Sequence, residues 1–192
     1  LHSDTHSFPT RRSSDLVGFT VSPALVELSM RPGASRSESV TLTNLTGQPI
    51  DVVARPAEWF RSAASIDLVA YETPPHNHSG SAVLSVMPAQ IQLPAKGHRR
   101  VTVRGRIPRG ASGERYAAVC FEPAENRPEE SPRSRTRHST LMRLQAEGTG
   151  EADAEVTAFE AKRNEHGVHT FTAEFRNTGN TGCTPEASIS IE

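Results

Sequence analysis

Cysteine is almost missing from this 192-residue chain. Cys120 and Cys183 are the only two, too few for a disulfide scaffold and without the C-x-x-C spacing of a metal or redox centre. No stretch approaches the ~18–20 consecutive apolar residues of a membrane-spanning helix. Positive charge is not in excess either: 21 Lys and Arg stand against 22 Asp and Glu, a net charge of −1. A general nucleic-acid binder needs a basic face to displace counterions from phosphates, so that class is excluded. Apolar residues make up 35% of the chain, or about 42% with the 13 glycines, just under the ~45–50% of typical globular domains. A core is available, though a modest one.

Catalytic signatures are also missing. Gly110, Ala111, Ser112 and Gly113 lack the G-x-S-x-G spacing of a nucleophile elbow and precede a strand where that motif requires a helix. Gly148, Thr149 and Gly150 lack the third glycine of a dinucleotide fingerprint. His76 and His78 share a face if their segment is extended, but a zinc site takes three or four ligands and nothing nearby completes one. The reading is a non-enzyme with no cofactor and no metal.

Alternation is what the sequence has in abundance. Val101, Val103 and Ile107 alternate with Arg100, Thr102, Arg104 and Arg106, and Val40 and Leu42 with Thr41 and Thr43. Phe171, Ala173 and Phe175 alternate with Thr172, Glu174 and Arg176. Successive side chains of a strand point to opposite faces, so each run predicts one buried and one wet face. Turn clusters separate the runs, among them Arg31-Pro32-Gly33, Pro94-Ala95-Lys96-Gly97 and Asn177-Thr178-Gly179-Asn180. Short strands between recurring turns predict an all-β, immunoglobulin-like antiparallel sandwich. A short helical turn is allowed over 56–64, where Ala and Glu tolerate it.

Three segments follow from composition. Residues 1–16 are polar and unpatterned and are read as a non-native or disordered leader; 6–16 (HSFPTRRSSDL) resembles the translation of a sequencing-adapter oligonucleotide. Residues 17–148 hold seven or eight strands, the size of one sandwich, interrupted at 124–138 by a charged, proline-bearing stretch predicted to be a mobile loop. Residues 149–192 hold strands expected near 154–161, 168–177 and 187–191, an incomplete second β-sandwich domain.

The opening strands resemble a family. Residues 19–60 carry an apolar strand with Pro23, a Pro32-Gly33 turn, a Thr-x-Thr-Asn strand end at 41–44 and a Pro49-Ile50 lead into a strand ending at Trp59. With 84–108 and 113–123, this pattern resembles the first domain of periplasmic pilus chaperones. It is also similar to WxL-interacting bacterial cell-surface proteins, whose Gly-rich domain exit resembles 148–150. The chaperone resemblance implies a first-strand Arg and a last-strand Lys that hold a subunit's C-terminal carboxylate. Here 22–28 has no basic residue and 139–147 has Arg143 alone. The surface-protein resemblance implies binding to peptidoglycan and to other surface proteins.

The expectation is a non-catalytic, extracytoplasmic bacterial module that binds a protein partner or peptidoglycan through sheet edges and loops. The alternative is a chaperone-like protein that assists assembly of fimbrial or surface subunits. The residues expected to carry contact are Arg99, Arg100, Arg104 and Arg106, able to meet an anionic wall polymer or an acidic strand, together with Met142, Arg143 and Leu144 on an exposed edge. For Met142 and Leu144 a core-facing row is the favoured reading, and the exposed edge the alternative.

Overall fold

The computed structural model describes residues 18–62, 65–70, 78–124, 137–163, 165–184, 186 and 188. Its elements are β1 (Phe19–Ser22), β2 (Leu25–Met30), β3 (Ser35–Asn44), β4 (Ile50–Ser62), β5 (Ser65–Ala70), β6 (Leu84–Met87), β7 (Gln90–Leu93) and β8 (His98–Arg106). They continue with β9 (Glu114–Pro123), β10 (His138–Ala146), β11 (Ala154–Arg163) and β12 (His169–Asn177). One sheet runs β1-β3-β8-β6; the other runs β2-β10-β9-β4-β5, with β7 also on β4. This is the immunoglobulin-like sandwich the alternation predicts.

Period two builds the core directly. On β3, Val40 and Leu42 are fully buried while Ser37 and Ser39 are exposed; on β8, Val101 and Val103 are buried while Arg100, Thr102 and Arg104 are exposed. Leu28, Met30, Val52, Leu93, Phe121 and Leu144 meet them from the second sheet. Each such side chain contributes roughly 1.5–3 kcal/mol by leaving water. Asn44 closes the layer from one end. Its Nδ2 donates to the carbonyls of Gln48 (2.8 Å) and Pro94 (3.1 Å), and its Oδ1 accepts from the Thr46 N–H at 2.8 Å.

The first strand is split between the sheets. β1 pairs antiparallel with β3, the chain crosses at Pro23 and Ala24, and β2 then pairs in parallel with β10, Leu25 opposite Leu141 through Met30 opposite Ala146. β2 is therefore the outer strand of its sheet, and β10 is an inner one.

Two expectations are corrected. No helical turn occupies the described part of 56–64: β4 runs unbroken to Ser62, because its backbone is committed to β9 on one side and to β5 and β7 on the other. His138 does not belong to a loop but opens β10 opposite Phe121. Residues 125–136 of the predicted mobile loop lie outside the described residues, as do 1–17 and most of the strand expected at 187–191. Gly148 turns with φ +73 where the domain exit was expected. Beyond it β11 and β12 form a two-stranded sheet, Val156 opposite Phe175 and Phe159 opposite Ala173, with a bulge between Val156 and Ala158.

Candidate functional site

Three strands bring charge together at the β2–β10 border. Arg143 on β10 faces Glu27 on β2, Nη2 to Oε1 2.6 Å, and its Nε lies 3.9 Å from Oε1 of Glu114 on β9. Glu114 is buried, and its second oxygen accepts the Gly182 N–H at 2.9 Å and the Tyr116 hydroxyl. Burial, with the Glu114 carboxylate beside it, pushes the Tyr116 hydroxyl up to about 12. The Glu114 N–H also donates to the Asn180 carbonyl at 2.8 Å, so this cluster joins the sandwich to the segment that follows β12. Gly113, at φ +71, permits the approach; a Cβ there would overlap Asn180.

Arg143 is thus engaged by two carboxylates of its own chain. The two-cation anchor that the chaperone resemblance implies is replaced by one cation between Glu27 and Glu114. Sequence reading found Arg143 and missed Glu114, whose partners lie up to 68 residues away.

The other expected contact residues separate. Met142 and Leu144 are corrected: both are fully buried, because β10 is paired on both sides and their row faces the core. They offer a partner no surface. Arg100, Arg104 and Arg106 share the exposed outer face of the first sheet, but Arg99 falls in phase with buried Val101 and lies on the other side. An arginine one residue out of step cannot join the row.

A second buried carboxylate, Glu58 on β4, accepts from Ser79 Oγ at 2.5 Å and from Ser81 Oγ. Burial pushes its carboxyl up, but the two hydroxyls and the N–H groups of Gly80 and Ser81 outweigh this and hold it below its ordinary value. Glu58 thereby clamps the 79–81 segment to the sheet. His78, the described half of the histidine pair, places Nδ1 3.1 Å from the Glu114 carbonyl. An open cleft of about 590 Å³ lies between Arg115, the 110–112 loop and the Gly179–Asn180 turn. Cys120, buried, and Cys183, half-buried, are free thiols.

With this geometry in view, solved structures decide the fold. A chain of a chaperone–tip adhesin complex in CFA/I fimbriae biogenesis superposes with TM-score 0.53 at 18% identity, covering 86% of this chain and 68% of that one. In fold, the chain is similar to pilus chaperones. The class 5 fimbriae chaperone CfaA gives TM-score 0.50 at 18% identity over 85% of this chain and 68% of its own. The CsuC–CsuE chaperone–tip adhesion subunit pre-assembly complex from Csu pili of Acinetobacter baumannii gives 0.52 at 10% identity, over 85% and 73%. No protein-family model matches the sequence, and no curated protein does. Of the two resemblances seen in the sequence, it is the chaperone one that these structures support.

Proposed function

We propose that the chain is a non-catalytic, extracytoplasmic chaperone-like protein that holds an extended segment of a fimbrial or surface subunit by strand addition. The observation that carries the reading is the split first strand: β2 crosses into the second sheet, pairs in parallel with β10 and leaves its own outer side without a described strand. An edge strand presents unpaired N–H and C=O groups to any extended chain, and alternate side chains set the preference. On β2, Leu25 is 46% exposed and apolar, while Glu27 is already tied to Arg143. The likeness to structures of pilus chaperones with tip subunits supports this reading over wall binding. The β11–β12 hairpin serves as the opening of a second sandwich. One of its faces carries Val156, Phe159, Phe171 and Phe175, and Phe159 and Phe171 stack at 6.2 Å.

The test mixes the purified chain with a chaperone–usher pilus subunit made without its complementing strand. A one-to-one complex by size exclusion and suppressed subunit aggregation are expected, with Leu25→Lys weakening the complex about tenfold or more while leaving the melting temperature in place. Absence of any complex, with retention on purified peptidoglycan sacculi above that of a control sandwich, would overturn the proposal in favour of wall binding.

A further inference from the structure

The outer face of the first sheet carries a single sign of charge. Register sets Arg106, Arg104 and Arg100 on β8 directly opposite Ser35, Ser37 and Thr41 on β3, and cross-strand partners share a face. Ser39 and Thr102 fill the gap in the two rows, and Met87 on β6 lies beside Thr102. The three arginines are exposed, and no acidic residue occupies any position of this face. Among the described residues none of the three is ion-paired, and Arg104 Nη2 donates to Ser35 Oγ at 2.6 Å. On a chain of net charge −1, cations are thus gathered on this face without acidic neighbours.

We infer that this face binds an acidic polysaccharide, the arginine row meeting its carboxylates or phosphates and the serine–threonine row meeting its hydroxyls. Geometry favours a linear polyanion. At ~3.4 Å per residue, Arg106 and Arg104 stand about 7 Å apart and Arg100 about 14 Å further along one straight strand. Guanidinium groups pair planar anions in bidentate fashion and are weakly hydrated, which suits them to this role. An acidic peptide is disfavoured, because strand addition runs along a sheet edge, whereas the arginines stand on the face of β8, an inner strand between β3 and β6, where no backbone groups are offered. Single-stranded nucleic acid is disfavoured because no Phe, Tyr or Trp side chain stands there to stack successive bases. A membrane surface is disfavoured because Met87 is the one large apolar side chain on the face.

The inference is independent of strand addition at β2, since the two surfaces belong to different sheets. Its test measures binding of fluorescein-labelled polygalacturonate to the full chain at low and physiological salt. Saturable binding that weakens with salt is expected, with none to neutral dextran and little to a thymidine oligonucleotide of matched charge. Arg104→Ser and Arg106→Ser should each weaken binding about three- to tenfold and the triple Arg100/104/106→Ser variant abolish it, while Arg99→Ser, on the other side of the strand, changes nothing. Unchanged melting temperatures guard against misfolding as the cause. Equal binding by the triple variant, or binding of the oligonucleotide as tight as that of the polysaccharide, would overturn the inference.

Discussion

Arg143 and Glu27 face each other across a parallel strand border, with Nη2 2.6 Å from Oε1, and Glu114 completes the cluster from the neighbouring strand. A guanidinium held by two carboxylates has little left for a third. An extended subunit peptide ending in a free carboxylate and the same peptide amidated are therefore expected to bind within about twofold of each other, under ~0.5 kcal/mol. Fluorescence titration of both peptides checks this, and strong preference for the free acid would show Arg143 to be released on binding.

The two partners of Arg143 differ in what they contribute. Glu27 and Arg143 are 54% and 41% exposed, so Glu27→Gln is expected to cost less than about 1 kcal/mol. Arg143→Met leaves Glu114, only 6% exposed, without its cation and is expected to cost about 1–3 kcal/mol. Urea unfolding of both variants measures the difference; equal losses would mean that Glu114 does not depend on Arg143.

Asn44 stitches three segments with one amide. Asn44→Ala removes the donor from the Gln48, Leu93 and Pro94 carbonyls and the acceptor from Thr46. A loss of about 2–3 kcal/mol is expected, since buried polar groups left unpaired cost about 1–3 kcal/mol each. A urea midpoint close to that of the parent chain would contradict it.

His138 packs on the Phe19 ring at 4.8 Å, and burial pushes its imidazole below the ordinary value of 6.5. The unfolded chain takes up a proton near 6.5 that the folded chain declines. Stability from this residue is complete above that value and is lost as pH falls through it towards the lower folded value. Melting temperatures across this range should fall less steeply for His138→Gln than for the parent. Identical slopes would remove His138 as the cause.

Tyr116 acts at the other end of the scale. Its hydroxyl, raised from 10.0 to about 12, stays protonated in the fold while the unfolded chain ionises earlier. Its contribution is complete below pH 10 and is lost as pH rises from 10 towards 12. Ultraviolet absorbance titration should show one of the chain's two tyrosines ionising at about 12. In Glu114→Gln that late transition should move down.

The sandwich was legible because β3 and β8 bury alternate residues against water, and that period is written in Val40, Leu42, Val101 and Val103. β4 was legible in part: its entry at Pro49-Ile50 and its run to Trp59 could be read, but Ala57 and Glu58 also suit a helix locally, and only pairing with β9, about sixty residues on, makes them strand. The site was legible in part. Arg143 stood out as the lone cation of its strand, but Glu114, Tyr116 and Gly182 are adjacent only after folding. The arginine row was visible as composition, and its membership followed from parity, which admits Arg100, Arg104 and Arg106 and expels Arg99.

The crossing at Pro23 and Ala24 has a mechanical consequence. A pull on the N-terminal side of β1 reaches β10 only after the β1–β3 ladder has yielded, and then loads the parallel β2–β10 ladder along its length, so that its hydrogen bonds resist in shear together. A protein that must hold a partner while that partner is drawn away would benefit from anchoring the same short stretch of chain in both layers.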